Sequence, residues 1–426
     1  MRILLLRPRP HRRTIGLQSV MICEPLELMQ LSAVLQANGH IVTIVDMIVE
    51  RKPLSCFLRS FAPDLVGITG YISHIGVMKG YARTIKRHNP AVLVAVGGVH
   101  AAVCPADFTD PHIDYICQSA RQLYEVTGCT DPSERLPDRA LPERYARKYN
   151  YLFAKRCALI KMSQGCPYNC RFCFCKEISP YIARDLDDCI AELQQIPQTE
   201  VYIVDDDFLF NRHRLLAFCD KVEQHQLKKR FLVYGRADFI AANEDVIAKL
   251  AAIGLSGVIV GIEAASQDEL DDYQKRSSLS DNERAVRVLQ AHRIECYATL
   301  ILGVDWDKQD FRRLRDYIKH LGLVFVNLQP FTPMPGTPYF EQYREALLIP
   351  YEQHEKWDMA HLVVRPGKLS VRQYYWQIIK LYYQSTLTPA HVRYMFRRYG
   401  VKHTLQLSVG AAHITWQYLK KAIRGT

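Results

Sequence analysis

The apolar positions of this 426-residue chain fall into two regimes. Short continuous runs alternate with longer stretches in which apolar residues recur every three or four positions. The runs ILLLRP (from Ile3), IVTIVDM (from Ile41), LVGITG (from Leu65), VLVAVGG (from Val92) and IDYIC (from Ile113) read as buried strands. Between them, LELMQLSAVLQANGH and IGVMKGYARTIKRHNP carry helical spacing, the first stopping at Gly39 and the second before Pro90. Continuous apolar strands separated by helices predict a parallel sheet covered on both faces. The first 130 residues therefore read as a doubly wound, Rossmann-like α/β domain whose ligand sits beyond the carboxyl ends of the strands.

Residues 131–150 are charged, contain prolines and show no period, so they read as a linker. A second alternation follows. Strands are expected at ALIKMS (from Ala158), VYIVDD (from Val201), RFLVYGR (from Arg230), GVIVGIE (from Gly257), CYATLILG (from Cys296) and FVNLQPF (from Phe325). Helical patterns separate them, among them IARDLDDCIAELQQI from Ile182. Six strand–helix units predict a partial (β/α)6 barrel over 151–345, with its chemistry at the carboxyl ends of the strands. Residues 346–426 read as a helical C-terminal region rich in Tyr, Trp and Arg. Its last part, HTLQLSVGAAHITWQYLKKAIRG, joins an apolar body to a basic end. Such a segment either closes the open side of the barrel, the favoured expectation, or lies on an anionic membrane.

Composition narrows the class. With 48% hydrophobic and 23% charged residues the chain is globular and can bury real cores. No run of about 18 uncharged apolar residues occurs, so no spanning helix is expected. The opening MRILLLRPRPHRR places its arginines after the apolar stretch, the reverse of a secretory leader, and a cytoplasmic location is expected. The net charge of +11 admits nucleic acid, an anionic membrane or an acidic substrate as partner. No motif has groove-reading spacing, so nucleic acid is not expected.

Thirteen cysteines, an odd number scattered mostly singly, do not form a secreted disulfide framework. Four of them crowd into SQGCPYNCRFCFC, after the first strand of the second domain. Cys166, Cys170 and Cys173 are spaced C-x3-C-x2-C, which suits three irons of a cubane cluster. The fourth iron is left open to chelation by the amino and carboxylate groups of S-adenosylmethionine (SAM). One electron passed to the sulfonium then breaks a C–S bond and yields a 5′-deoxyadenosyl radical. A structural zinc site would need four ligands, usually in two separated pairs. Cys175 is two residues from Cys173 and reads as packing.

On these residues the chain resembles radical SAM enzymes with an amino-terminal cobalamin-binding domain, over Met1 to about Phe340. The resemblance implies a [4Fe–4S] cluster on Cys166, Cys170 and Cys173, with Phe172 near the adenine. It implies SAM contacts from Asp205, Asp206 and Asp207 in DDDF, Arg236 in YGRADF, and Glu263 and Ser266 in VGIEAAS. DDDF departs from the usual Gly-Gly-Glu, and Ala264 stands where the family has Ser. PFTPMPGTPYF, around Pro335 and Gly336, is similar to the family's closing strand and turn.

In the first domain the resemblance rests on VGITGYISHI, AVGGVHA and HIDYICQ. It implies cobalamin contacts at Thr69, Gly70, Tyr71, Ser73, His74, Gly97, Gly98, His100 and Gln118. Gln118-Ser119-Ala120-Arg121 replaces the family's Gly-Glu-Gly-Glu. The D-x-H-x-x-G motif is missing, so cobalamin is expected base-off without such a histidine, with His11 and His74 as the imidazoles that could approach cobalt. The implied activity is methylation of an unactivated carbon. The alternative is a radical cyclisation or rearrangement that spends SAM only as radical source. A transfer-RNA methylthiotransferase would need a second cysteine triad and a β-rich tail, which the sequence does not offer. The implied partners are a small lipid or tetrapyrrole-like substrate and an external one-electron donor such as flavodoxin or ferredoxin, with peripheral membrane contact as a further candidate.

Overall fold

A computed structural model describes residues 1–16, 21–140, 143–152 and 154–425. The chain divides into two compact units, residues 1–150 with 350–358, and residues 151–349 with 359–426.

In the first unit, strands β1 (Arg2–Arg7), β2 (Ile41–Asp46), β3 (Leu65–Thr69), β4 (Leu93–Gly97) and β5 (Tyr115–Ile116) form one parallel sheet in the order 2-1-3-4-5. Helices α1 (Leu26–Ala37), α2 (Leu54–Phe61), α3 (Ile75–His88) and α4 (Val99–Val103) connect them, and α5 (Ala120–Thr127) follows β5. Ile3, Leu4, Leu5 and Leu6 are all fully buried, so both faces of β1 are covered and the apolar run needs no alternation. This is the doubly wound order, in which the direction of strand addition reverses between β1 and β3.

Residues 131–150, read above as a linker, pack within this unit, apart from 141 and 142, which lie outside the described residues. Arg139 pairs with Glu24 at 2.8 Å, Arg144 donates to the Ile44 carbonyl at 2.9 Å, and Lys148 to that of Val49 at 3.0 Å. Tyr145 and Tyr149 are buried. The strap is held by side chains that reach backbone carbonyls, which leaves no hydrophobic period to read. Residues 350–358 were expected with the helical tail. They belong to the first unit, anchored by buried Trp357 and by the Asp358 carboxylate on the Ile15 amide at 2.6 Å.

In the second unit, β6 (Ala158–Ile160), β7 (Glu200–Ile203), β8 (Arg230–Arg236), β9 (Leu255–Glu263), β10 (Glu295–Leu302) and β11 (Phe325–Pro330) pair in parallel and in chain order. That is the open barrel expected. Its helices are α6 (Cys175–Ile178), α7 (Leu186–Gln195), α8 (Arg212–Gln224), α9 (Ala237–Ala242), α10 (Glu244–Ala252), α11 (Gln267–Asp272), α12 (Leu279–Ala291) and α13 (Lys308–His320). After the last strand come α14 (Pro338–Gln342), α15 (Val371–Thr386) and α16 (Pro389–Arg424). The helix expected from Ile182 begins at Leu186, because Ile182 and Ala183 pair antiparallel with Gln164 and Ser163.

Helix α15 covers the β11 side of the barrel. The Tyr382 hydroxyl accepts from the Leu328 amide and donates to its carbonyl, each at 3.2 Å. Tyr374 donates to the Gly303 carbonyl at 2.8 Å and meets Phe311 edge-to-face. The packing role weighed for the tail is thus filled by α15.

Asp46 ties the first unit together. Fully buried at the end of β2, it takes bonds from the Arg7 guanidinium, the Tyr149 hydroxyl at 3.0 Å and the Ile48 amide at 3.0 Å. Removing one partner of a buried pair strands the other charge. Asp46→Ala should cost the first unit about 3–5 kcal/mol, read as a lowered urea midpoint. A loss below about 1 kcal/mol, the scale of a surface pair, would contradict this account.

Candidate functional site

The cysteine loop leaves the end of β6 and returns to α7. Its base is stapled twice. Ser163–Gln164 pairs with Ile182–Ala183, and Asp205, just past β7, accepts from the Met162 amide at 2.7 Å and the Ser163 hydroxyl at 2.6 Å. Gly165 has φ +69°, and a Cβ there would stand 2.4 Å from the carbonyl oxygens of Ser179 and Pro180. Only glycine lets the two ends of the loop approach so closely. Inside it, the Cys173 amide donates to the Cys170 carbonyl at 3.1 Å, and the Arg171 amide to that of Tyr273 at 3.0 Å. The Arg171 guanidinium bonds Asp272 and Gln342 and lies 4.5 Å from the Tyr339 ring centre. Three thiols are therefore fixed on one short loop.

Two buried cations flank them. Arg236, the last residue of β8, places Nη1 3.7 Å from Cys170 Sγ and its guanidinium 3.9 Å from the Tyr168 ring centre. Its Nε donates to Asp238 at 3.0 Å, and Nη2 donates to the Lys275 carbonyl. Lys275 Nζ lies 2.8 Å from Glu263 Oε1 and 5.9 Å from the Phe172 ring centre. Burial pulls the Lys275 pKa down, but Glu263 and Cys170 outweigh it, so the ammonium is held above its ordinary value. Glu263 has φ +61°, where β9 slips register against β10 between Gly261 and Glu263. A non-glycine residue in that region is strained, and such strain collects at working sites. Gly261 makes the room: a Cβ there would stand 2.3 Å from Glu263 Oε1 and 2.5 Å from Lys275 Nζ.

Asp207 is the unmatched member. It is 3% exposed, and neither carboxylate oxygen has a hydrogen-bond partner among the described residues. Burial pushes its pKa up to about 8, against the pull of Arg236 and Lys275. An unpaired buried carboxylate is costly, and both oxygens are open to a cationic donor such as an ammonium group. The thiols divide. Burial pushes Cys166 up to about 11 and raises Cys170, the latter against Lys275 and Arg236. Cys173 is held below its ordinary value by the thiol and then, after the opposing effect of burial, the amide of Cys175. Three thiols on one loop, with Arg236 and Lys275 opposing the effect of burial at Cys170, suit an iron–sulfur cluster.

Cys166, Cys170, Cys173, Phe172, Asp207, Arg236 and Glu263 thus fall in one constellation. Phe172 stands edge-to-face with Tyr273 at 5.5 Å. Asp206 is exposed and accepts from Cys175 Sγ at 3.7 Å. Ser266 stands at the N-cap position of α11, without a side-chain bond to the helix amides. Asp205 is spent on the loop base. Lys275 was missed, since its one trace in the sequence is a lysine closing the acidic run QDELDD.

In the first unit, Thr69 and Gly97 are the last residues of β3 and β4, and Gln118 lies two residues beyond β5. Gly98 has φ +101°, and a Cβ there would stand 2.7 Å from Thr69 Oγ1 and the Gly70 carbonyl oxygen. The two strand ends meet backbone to backbone, which leaves a surface a broad ligand can cover. Tyr71 is 60% exposed and Ser73 half-buried beside it. His74 Nδ1 accepts from the Tyr71 amide at 3.3 Å, and burial, then Arg7, lower its pKa to about 4. This imidazole is neutral at pH 7. Gln118 is exposed, 3.5 Å from the Ala102 carbonyl. His100 is buried and turned to Asp107 at 2.7 Å, which also accepts from Tyr351. With Cys104 these groups resemble a metal site. Ligands of one tetrahedral ion, however, stand about 3.3 Å or more apart, so His100 and Asp107 form a hydrogen-bonded pair instead.

The family model for the B12 binding domain matches residues 12–124, and that for the radical SAM superfamily matches residues 160–318. The chain is 24% identical to a hopanoid C-3 methylase of Methylococcus capsulatus, covering 93% of this chain and 83% of that protein. It is 22% identical to an anaerobic magnesium-protoporphyrin IX monomethyl ester cyclase of Cereibacter sphaeroides, covering 87% and 68%. Its fold is that of the radical S-adenosylmethionine methyltransferase TsrM of Kitasatospora setae, solved with cobalamin and a [4Fe–4S] cluster bound: TM-score 0.69 at 15% identity, covering 100% of both chains.

Asp207 supplies a test by proton linkage. Unfolded, its carboxyl titrates near 3.8; folded, at about 8. The folded state keeps a proton that the unfolded state releases, so stability should fall as pH rises from about 4 to about 8, by at most about 1.4 kcal/mol per pH unit. Asp207→Asn should remove that slope and raise the urea midpoint of the cluster-free protein at pH 8. A slope that persists in the variant would assign the proton to another group.

Proposed function

The chain belongs to the radical SAM enzymes that carry an amino-terminal B12-binding domain, and on that premise we propose that it methylates an unactivated carbon of a hydrophobic polycyclic substrate of the hopanoid or tetrapyrrole kind. The observation that carries the reading is the constellation of three loop thiols, two buried cations and one unpartnered buried carboxylate at adjacent strand ends. When bound, the [4Fe–4S] cluster with SAM supplies a 5′-deoxyadenosyl radical and cobalamin supplies the methyl group.

The residues divide the work. Cys166, Cys170 and Cys173 would hold the cluster, and three thiolates for four irons would leave one iron for SAM. Arg236 donates to Cys170 and stabilises its negative charge. Asp207, whose oxygens are both without a hydrogen-bond partner among the described residues, would receive the ammonium of SAM. Glu263 and Lys275 bracket the polar end of SAM with one charge of each sign, and Phe172 against Tyr273 forms the wall for the adenine. Thr69, Gly70, Gly97 and Gly98 offer backbone to the corrin, and neutral His74 stays engaged with Tyr71. An external flavodoxin or ferredoxin delivers the electron. The likeness to a cyclase supports a second reading, in which the same site forms a ring and SAM serves only as radical source.

Products separate the two. Anaerobic protein with SAM, hydroxocobalamin, reductant and candidate polycyclic substrates should form 5′-deoxyadenosine and S-adenosylhomocysteine together, with methylated product. Formation of 5′-deoxyadenosine alone with a cyclised product favours the second reading. Reconstituted protein should hold about four irons. Cys166→Ala, Cys170→Ala and Cys173→Ala should each abolish both iron binding and SAM cleavage, whereas Cys175→Ala should keep most of both. Loss of the cluster in Cys175→Ala with retention in Cys173→Ala would reassign the ligands. Lys275→Met should raise the KM for SAM by about tenfold or more, the scale of one buried charged contact.

A further inference from the structure

The chain's charge is segregated. Residues 359–426 contain eleven Lys and Arg and no Asp or Glu. With 55 Lys and Arg against 44 Asp and Glu overall, the first 358 residues balance, and the entire +11 lies in this last segment.

The same segment exposes an apolar stripe. Helix α16 is interrupted at Gly400 (φ +74°, ψ 171°). Beyond it one face packs on α15. Tyr418 and Ala422 are buried, Tyr418 lies 5.8 Å from the Tyr375 ring, and Arg372 donates to the Ala422 carbonyl at 3.3 Å. On another face Val401, Leu405, Val409, Trp416 and Ile423 are 61%, 55%, 71%, 53% and 55% exposed. At about 100° per residue they fall within a sector of about 80°, in a stripe about 33 Å long. Lys420 reaches over the Trp416 ring at 5.2 Å, at the border of that stripe. A contiguous exposed apolar surface of this kind marks a contact site. Among the described residues no helix is long and apolar enough to cross a membrane.

We propose that the segment from Val401 to Arg424 docks on the surface of an anionic lipid bilayer. The apolar stripe enters the interface between headgroups and acyl chains, and the basic residues of the segment meet the headgroups. Charge complementarity selects this occupant. A second copy would bring +11 against +11, and a nucleic acid would meet the basic residues while leaving the apolar stripe in water. The proposal does not rest on the methylation reading and is tested without SAM or substrate.

The test uses the full chain in flotation with vesicles of phosphatidylcholine mixed with phosphatidylglycerol, against phosphatidylcholine alone. The wild type should float with the mixed vesicles and be released by raised salt. Leu405→Ser/Val409→Ser/Trp416→Ser, which spares the face on α15, should keep the wild-type circular dichroism and bind at least about tenfold more weakly. Lys420→Gln/Arg424→Gln should lose the preference for anionic vesicles. As a second readout, vesicles should shift the wild-type tryptophan emission to the blue, a change lost in Trp416→Phe. Failure of the wild type to float, or flotation of the triple variant at the wild-type level, overturns the proposal. So does duplex DNA that binds wild type and triple variant equally and strips the wild type from vesicles, a result that would assign the tail to nucleic acid.

Discussion

Gathering three thiols at the end of a buried sheet is an electrostatic problem, because each must lose its proton to bind iron while water is largely excluded. The second unit answers it with Arg236 and Lys275, two cations that are themselves almost fully buried. Neither stands alone: Arg236 leans on Asp238 and Lys275 on Glu263, so each brings its own counter-charge. The rest of the site follows from keeping these pairs in place. Gly261 is small because the Glu263–Lys275 pair occupies the space of its side chain, and the strained Glu263 backbone aims the carboxylate at Lys275. Arg236 also carries the Lys275 carbonyl, so the two cations are linked through one peptide group. Asp207 is left as a buried carboxyl group neither of whose oxygens has a hydrogen-bond partner among the described residues.

Much of this could be read in the sequence, and the limits have physical causes. Short apolar runs such as Ile3–Leu6 sit in strands covered on both faces, and both sheets were legible from runs of this kind. The cysteine loop was legible because its spacing is local. Lys275 was not, because its meaning depends on a contact with Glu263 that passes through α11. Asp205 and Asp207 sit two apart in one tripeptide and look alike in sequence. One is consumed by the base of the cysteine loop and the other is left open, a difference set by which way each side chain leaves the end of β7. Ile182 and Ala183 fit a helical period yet form a short ladder, because pairing with Ser163 and Gln164 outweighs local propensity.

The first unit shows the same limit in another form. Its core was visible, but the charged strap after residue 130 and the segment 350–358 were assigned elsewhere. Both are held by polar side chains on backbone groups and by single buried aromatics, which carry no repeating signal. His100 illustrates the effect at one residue. Its place after a Gly-Gly turn suggested a ligand contact, while its ring is committed to Asp107, which Tyr351 also binds from far along the chain.

The hydroxyl of Tyr382 has a consequence beyond holding α15. An open barrel ends in a strand whose outward amides and carbonyls can recruit a strand from another molecule, the first step toward uncontrolled stacking of sheets. At Leu328 both outward groups are already taken by one phenol. A single side chain imitates the neighbouring strand at that register and blunts the edge where self-assembly would otherwise begin.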